Sequence, residues 1–65
     1  MTTAYNIKKY REELNMTQEE LSKKSQVSRS IISELETGKR VATTTGTLQR
    51  IAEALGKSIG EIFLS

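Results

Sequence analysis

The segment from residue 17 to residue 38 limits what this chain can fold into more than any other segment. It reads TQEELSKKSQVSRSIISELETG, with apolar residues at the three- and four-residue spacings of amphipathic helices. Residues typical of turns and helix caps interrupt this pattern between positions 25 and 28. The segment therefore predicts two short helices joined by a tight turn, and the second helix opens at Ser28.

Capping signals support these helix boundaries. Thr17 and Glu20 have the spacing of a capping box, in which each side chain accepts the backbone N–H of the other residue. The helix that follows is predicted to run to about Lys24. Ser28 is the predicted cap of the next helix, and Gly38 is suited to the left-handed conformation that ends it.

The rest of the chain predicts three further helices and an all-α, five-helix fold. The first runs from about Ala4 to Leu14, and a loop spans 37–44. The fourth runs from about Thr45 to Leu55, and a last short helix opens with a second capping box at 58–61. The side chains predicted to face the core are Ile7, Leu14, Leu21, Val27, Ile32, Leu35, Leu48, Ile51, Ala52, Leu55, Ile59 and Ile62.

Size and composition narrow the possible functions. A chain of 65 residues predicts one domain, residues 1–65, near the lower limit for a core without covalent staples. The sequence has no Cys, His or Asp, so no metal or cofactor is expected and an enzyme is disfavoured. No apolar run approaches the roughly 20 residues of a membrane span. A soluble, cytoplasmic protein is expected.

The basic residues are concentrated in one part of the chain. The net charge is only +2, but residues 23–40 contain five basic and two acidic residues. The rest of the chain is therefore slightly acidic. Such a local basic stripe favours a surface that faces phosphate, although a solvated face with a chance excess of lysine would look the same.

Taken together, these residues resemble the helix-turn-helix family typified by the phage lambda repressor and Cro, often called the XRE family. The similarity extends from Ile7 to Phe63. The matching residues are Ile7, Arg11, Thr17, Gln18, Leu21, Val27, Ser28, Ile32, Glu36, Gly38, Leu48, Ile51, Ala52, Leu55 and Gly56. The resemblance implies a lambda repressor-like DNA-binding domain with the helix-turn-helix at 17–37, in which the third helix enters the major groove.

Two positions depart from the family pattern. Ser22 stands where the family usually has Ala, and Gln26 stands in the turn where it usually has Gly. Gln26 is therefore expected to need a positive φ, at a cost of about 1 kcal/mol. Neither change removes a DNA contact that the resemblance implies.

The resemblance assigns the residues that would touch DNA. Those facing base edges are Arg29, Ser30, Ser33 and Glu34. Those facing phosphates are Thr17, Gln18, Ser28, Thr37, Lys39, Arg40 and Thr44. An arginine can donate two hydrogen bonds to guanine, and a helix N-terminus such as that at Gln18 attracts anions. The alternative is that these are ordinary exposed residues near helix caps.

Arg11 and Glu36 are predicted to form an ion pair between the first and third helices. Arg11 lies on the inward face of its helix, where an unpaired guanidinium would be costly. Glu36 lies in the last turn of its helix, where its charge opposes the helix dipole. An ion pair between the two side chains offsets both unfavourable terms. The family that the chain resembles has such a pair at these positions.

The expected function is regulation of transcription by a homodimer, most simply a repressor, bound to an inverted-repeat operator. The residues predicted at the dimer contact are Ile59, Phe63 and Leu64, which could instead only close the core. Two alternatives remain open. The chain could be an antitoxin or restriction-controller protein with a protein partner, or a module that binds only protein.

Overall fold

The computed structural model describes residues 5–39 and 43–62. Within them the chain forms five helices and no β-strand. The helices are α1 (Ile7–Glu13), α2 (Gln18–Ser25), α3 (Arg29–Thr37), α4 (Thr45–Leu55) and α5 (Ile59–Ile62). The predicted all-α, five-helix fold is confirmed.

The core lies where the apolar faces of all five helices meet. α2 packs against α3 and α4, α1 packs against α3 and α4, and α4 packs against α5. The side chains of largest volume with no exposed surface are Ile7, Leu21, Ile32, Leu35, Ile51 and Ile62. Burying each contributes about 1.5–3 kcal/mol before the loss of chain entropy is subtracted.

The helix caps are those that the sequence predicts. The Glu20 amide donates to Thr17 Oγ1 at 3.0 Å and the Thr17 amide donates to Glu20 Oε1 at 2.8 Å. The same reciprocal pair links Ser58 and Glu61 at the start of α5, at 3.3 and 2.9 Å. Each of these pairs satisfies two backbone donors that a helix start would otherwise leave open.

The turn between α2 and α3 is closed by side-chain hydrogen bonds. Ser22 Oγ donates to the Val27 carbonyl at 2.7 Å, and the Val27 amide donates to Ser25 Oγ at 3.2 Å. Gln26 has the positive φ expected from the sequence, +61°. The serine at position 22 thus adds a bond across the turn, which offsets part of the cost of a non-glycine residue at position 26.

Several sequence predictions need correction. Leu14 does not face the core: α1 ends at Glu13, and Leu14, in the turn that follows, is 50% exposed. The helical spacing fails there because the helix has already ended. Ser25, placed in the turn, is the last residue of α2, and Thr37, placed in the loop, is the last residue of α3. Ala4 lies outside the described residues.

Other inward-facing predictions were incomplete. Ile59 is only partly buried, although it packs against the core. Tyr5 and Ala54 are buried at 6% and 5% exposure and were not predicted. The Asn6 amide donates to the Ile62 carbonyl at 2.7 Å. This bond joins the segment before α1 to the end of α5 and explains how Tyr5 is brought onto the core.

Candidate nucleic-acid interface

The N-terminal half of α3 presents a polar surface. Ser28 caps the helix, its Oγ accepting the Ile31 amide proton at 3.2 Å. The next two residues, Arg29 and Ser30, are exposed. Ile32 is fully buried, and this burial anchors the opposite face of α3 in the core. The helix is therefore held with its first turn facing outward.

The four residues predicted to face bases lie along one open groove. Arg29, Ser30, Ser33 and Glu34 line it together with Gln18 from the start of α2. Residues 30, 33 and 34 share one side of α3 because positions three and four apart are neighbours on a helix. The structure thus brings the predicted base-facing residues and one predicted phosphate-facing residue to a common surface.

Arg29 has the freedom that such a surface requires. Across residues 5–39 and 43–62 its guanidinium makes no hydrogen bond or ion pair. It is also the first residue of α3, where the helix dipole already places positive charge. A cation at this position does not stabilise the helix itself. It does attract an anionic ligand, because its charge adds to that of the helix N-terminus.

Gln18 is not a freely extended side chain. Its Nε2 donates to Glu36 Oε1 at 3.0 Å, and the residue is half-buried. Sequence reasoning missed this bond, since nothing in the spacing of residues 18 and 36 indicates it. Only the packing of α2 on α3 brings the two side chains together.

Glu36 accepts hydrogen bonds from Arg11 as well. Arg11 Nε donates to Glu36 Oε2 at 2.8 Å and Arg11 Nη2 donates to Glu36 Oε1 at 3.0 Å. Arg11 Nη1 donates to the Met16 carbonyl at 2.7 Å. The ion pair that the sequence predicts is present, and it extends to Gln18 and to the segment before α2.

The remaining predicted phosphate ligands differ in how free their hydroxyls are. The hydroxyls of Thr17, Ser28 and Thr44 each accept a backbone N–H at a helix start. The protons of Thr17 and Ser28 stay available to a phosphate, whereas Thr44 Oγ1 also shares a hydrogen bond with Thr47 Oγ1 at 2.9 Å. The Thr37 hydroxyl instead donates to the Glu34 carbonyl at 3.4 Å. As positioned, Thr37 is therefore a poor donor to a phosphate.

The other predicted contacts are only partly described. Lys39 is exposed and follows Gly38, the C-cap residue of α3, whereas Arg40 lies outside the described residues. Phe63 and Leu64 of the predicted dimer contact also lie outside them. Among the residues that the structure describes, no group of side chains has the composition of a metal site. In the same residues no helix has the length and apolar character to cross a membrane.

Comparison with known proteins agrees with this arrangement. The family model described as Helix-turn-helix matches residues 7–62, a span that contains all five helices. Comparison with curated proteins and with solved structures gives no significant match. On the family match and the geometry of α2 and α3, the chain belongs to the helix-turn-helix family of DNA-binding regulators typified by the lambda repressor and Cro.

Proposed function

We propose that this protein is a sequence-specific transcriptional regulator, a dimeric repressor that reads an inverted-repeat operator in double-stranded DNA through α3. One observation carries the proposal. Arg29, which has no hydrogen bond or ion pair within the described part of the chain, shares an open groove with Ser30, Ser33 and Glu34 at the exposed start of a helix. An α-helix that presents such side chains fits the width of the DNA major groove.

Each groove residue has a role that its chemistry allows. Arg29 donates two hydrogen bonds to guanine O6 and N7, which discriminates against other bases by about 1–3 kcal/mol. Ser30 and Ser33 are short and let the helix backbone approach the base edges. Glu34 accepts from cytosine N4. The phosphate contacts at the starts of α2 and α4 set the register and supply affinity that depends on salt.

A single copy would read too little sequence. One recognition helix reads about four or five base pairs, and two copies on half-sites about one helical turn apart multiply the selectivity. The self-contact that we assign is the C-terminal segment with Ile59, Phe63 and Leu64. A regulator of this kind works beside the DNA, so the proposal includes a cytoplasmic location.

Selection of bound sequences from random double-stranded DNA tests the proposal directly. The wild-type protein should enrich an inverted repeat with half-sites about 10 base pairs apart. The Arg29→Ala variant should lose the preference for guanine at one position of each half-site. If the wild-type protein enriches no sequence, the specific-regulator proposal is wrong.

The same assay separates DNA binding from a purely protein-binding role. Affinity for DNA should fall steeply between about 50 and 200 mM salt, because each phosphate contact releases counterions. An interface that binds only protein would show no DNA retention at low salt. That outcome would favour a protein partner in place of DNA.

A further inference from the structure

The N-terminal end of α2 is attached to the buried Arg11–Glu36 pair by two hydrogen bonds. One runs from Gln18 Nε2 to Glu36 Oε1, and the other from Arg11 Nη1 to the Met16 carbonyl. Met16 and Gln18 flank the N-cap residue, Thr17. The pair therefore holds the part of α2 to which the proposed function assigns phosphate contacts.

The bond to Glu36 also determines which way the Gln18 amide faces. A carboxylate can only accept hydrogen bonds, so Nε2 rather than Oε1 must face it. Nε2 carries two protons, and the bond to Glu36 uses one of them. Because Gln18 also lines the groove beside Arg29, the second proton can be donated to a phosphate oxygen at the edge of that groove.

We propose that Arg11 and Glu36 are positioning residues for DNA binding. Glu36 orients the Gln18 amide and Arg11 holds the Met16 carbonyl, so that the phosphate-binding end of α2 is fixed relative to α3. Neither residue touches DNA. The inference rests on the proposed function, and it adds that a buried pair contributes to affinity as well as to stability.

Phosphate binding by the first turn of α2 requires accurate placement of its hydrogen-bond donors. A hydrogen bond to a phosphate is made only when donor and acceptor lie within a few tenths of an ångström of their preferred distance. The Glu36 side chain is 2% exposed and that of Arg11 is 12% exposed, so water competes little for the hydrogen bonds of this pair. Loss of the pair would remove both hydrogen bonds from the start of α2 and leave that end held by the capping box and by the burial of Leu21.

A double-mutant cycle between Gln18 and Glu36 tests the proposal. Gln18→Met keeps the length of the side chain and removes its hydrogen bonds, and Glu36→Gln keeps its size and removes its charge. We expect Gln18→Met to raise the Kd for the selected operator about 5-fold, the value of one hydrogen bond, and Glu36→Gln to raise it at least as much. In the double variant the two effects should fall short of their product by at least about 3-fold.

A chemically matched control lies on α4. Gln49 Nε2 donates to Glu53 Oε2 at 3.0 Å on an exposed surface, so Gln49→Met also removes an amide–carboxylate bond, at a residue that does not line the groove. Its Kd should stay within about 2-fold of wild type. Circular dichroism at the assay temperature must show each protein folded, which separates affinity from stability.

The outcomes are distinct. Independent, multiplicative effects of Gln18→Met and Glu36→Gln would overturn the proposal. Should Glu36→Gln fail to fold, hydrogen exchange of the side-chain amides in the wild-type protein decides instead. The Gln18 Nε2 protons should exchange more slowly than those of the exposed Gln26, and equal exchange would overturn the proposal. Failure of the proposed function would be recognised separately, because in that case the wild-type protein itself would enrich no operator sequence.

Discussion

Arg11 and Glu36 face each other edge to edge across the interface between α1 and α3, joined by two hydrogen bonds of 2.8 and 3.0 Å. Hydrogen bonding to Glu36 raises the pKa of Arg11, and this effect outweighs burial, which lowers it. The guanidinium is thus charged at every accessible pH. Because both side chains are largely withdrawn from solvent, removing one partner strands the other charge.

Arg11→Ala should therefore destabilise the protein. We expect the free energy of unfolding to fall by more than about 1 kcal/mol, and by up to about 4 kcal/mol, since the Glu36 carboxylate would remain buried without its cation. Urea unfolding followed by circular dichroism measures the change. Arg50→Ala, which removes an exposed arginine from α4, is the control and should change stability by less than about 0.5 kcal/mol. An unchanged midpoint for Arg11→Ala would contradict this account.

Arg29→Ala, unlike Arg11→Ala, should weaken DNA binding without lowering stability. We expect DNA affinity to fall by about 5- to 150-fold, because a bidentate contact to guanine is lost. Stability should stay constant or rise by a few tenths of a kcal/mol, since a cation at the first position of α3 opposes the helix dipole. Fluorescence anisotropy with the selected operator and a thermal melt measure the two quantities.

Lys23→Ala is the control for the Arg29 experiment. Lys23 is exposed near the C-terminal end of α2, away from the groove, and its removal changes the net charge by the same amount. Equal losses of affinity for the two variants would mean that charge alone, not base contact, explains the effect of Arg29.

The two capping boxes make stability depend on pH. The backbone N–H of Thr17 lowers the pKa of Glu20, and that of Ser58 lowers the pKa of Glu61 in the same way. Because the folded-state pKa lies below the unfolded value of about 4.3, each carboxylate stabilises the fold above that pH. The stabilisation is lost as the pH falls through the folded-state pKa.

Glu20→Ala tests this pH dependence against Glu19→Ala. Both residues are exposed in the first turn of α2, so both variants lose a favourable charge near the helix dipole, but only Glu20 closes the capping box. At pH 7 Glu20→Ala should lower the melting temperature more than Glu19→Ala. That excess should shrink steadily towards pH 3, and an excess independent of pH would exclude the capping-box explanation.

Local signals predicted most of the fold. Capping residues and glycines lie within a few positions of the helix ends that they determine, so the limits of α4 and the turn at Gln26 could be derived from the chain itself. Leu14 is a position at which helical spacing gives the wrong prediction. The spacing that places Ile7 in the core continues through residue 14, and only the end of α1 at Glu13 turns Leu14 towards solvent.

Contacts between distant residues were predictable only where chemistry demanded a partner. An inward-facing Arg11 required an acid, and Glu36 was the acid whose position was otherwise unfavourable. Gln18 needs no partner within the protein, because water can satisfy the hydrogen bonds of a neutral amide at a helix start. Its bond to Glu36 depends on a rotamer and on the packing of α2 against α3, which no spacing rule contains.

The two glycines associated with α4 should respond in opposite ways to alanine. Gly46 lies in the first turn of the helix, and a Cβ added there would meet only Thr44 Oγ1, at 4.0 Å. Gly46→Ala should therefore raise the free energy of unfolding by about 0.5–1 kcal/mol through helix propensity and reduced freedom of the unfolded chain. Gly56 ends the same helix with φ of +70°, so Gly56→Ala should cost about 1 kcal/mol although nothing lies within 4 Å of the new Cβ. Thermal and urea melts of both variants measure the difference, and a loss of stability in Gly46→Ala would contradict the helix-propensity explanation for Gly46.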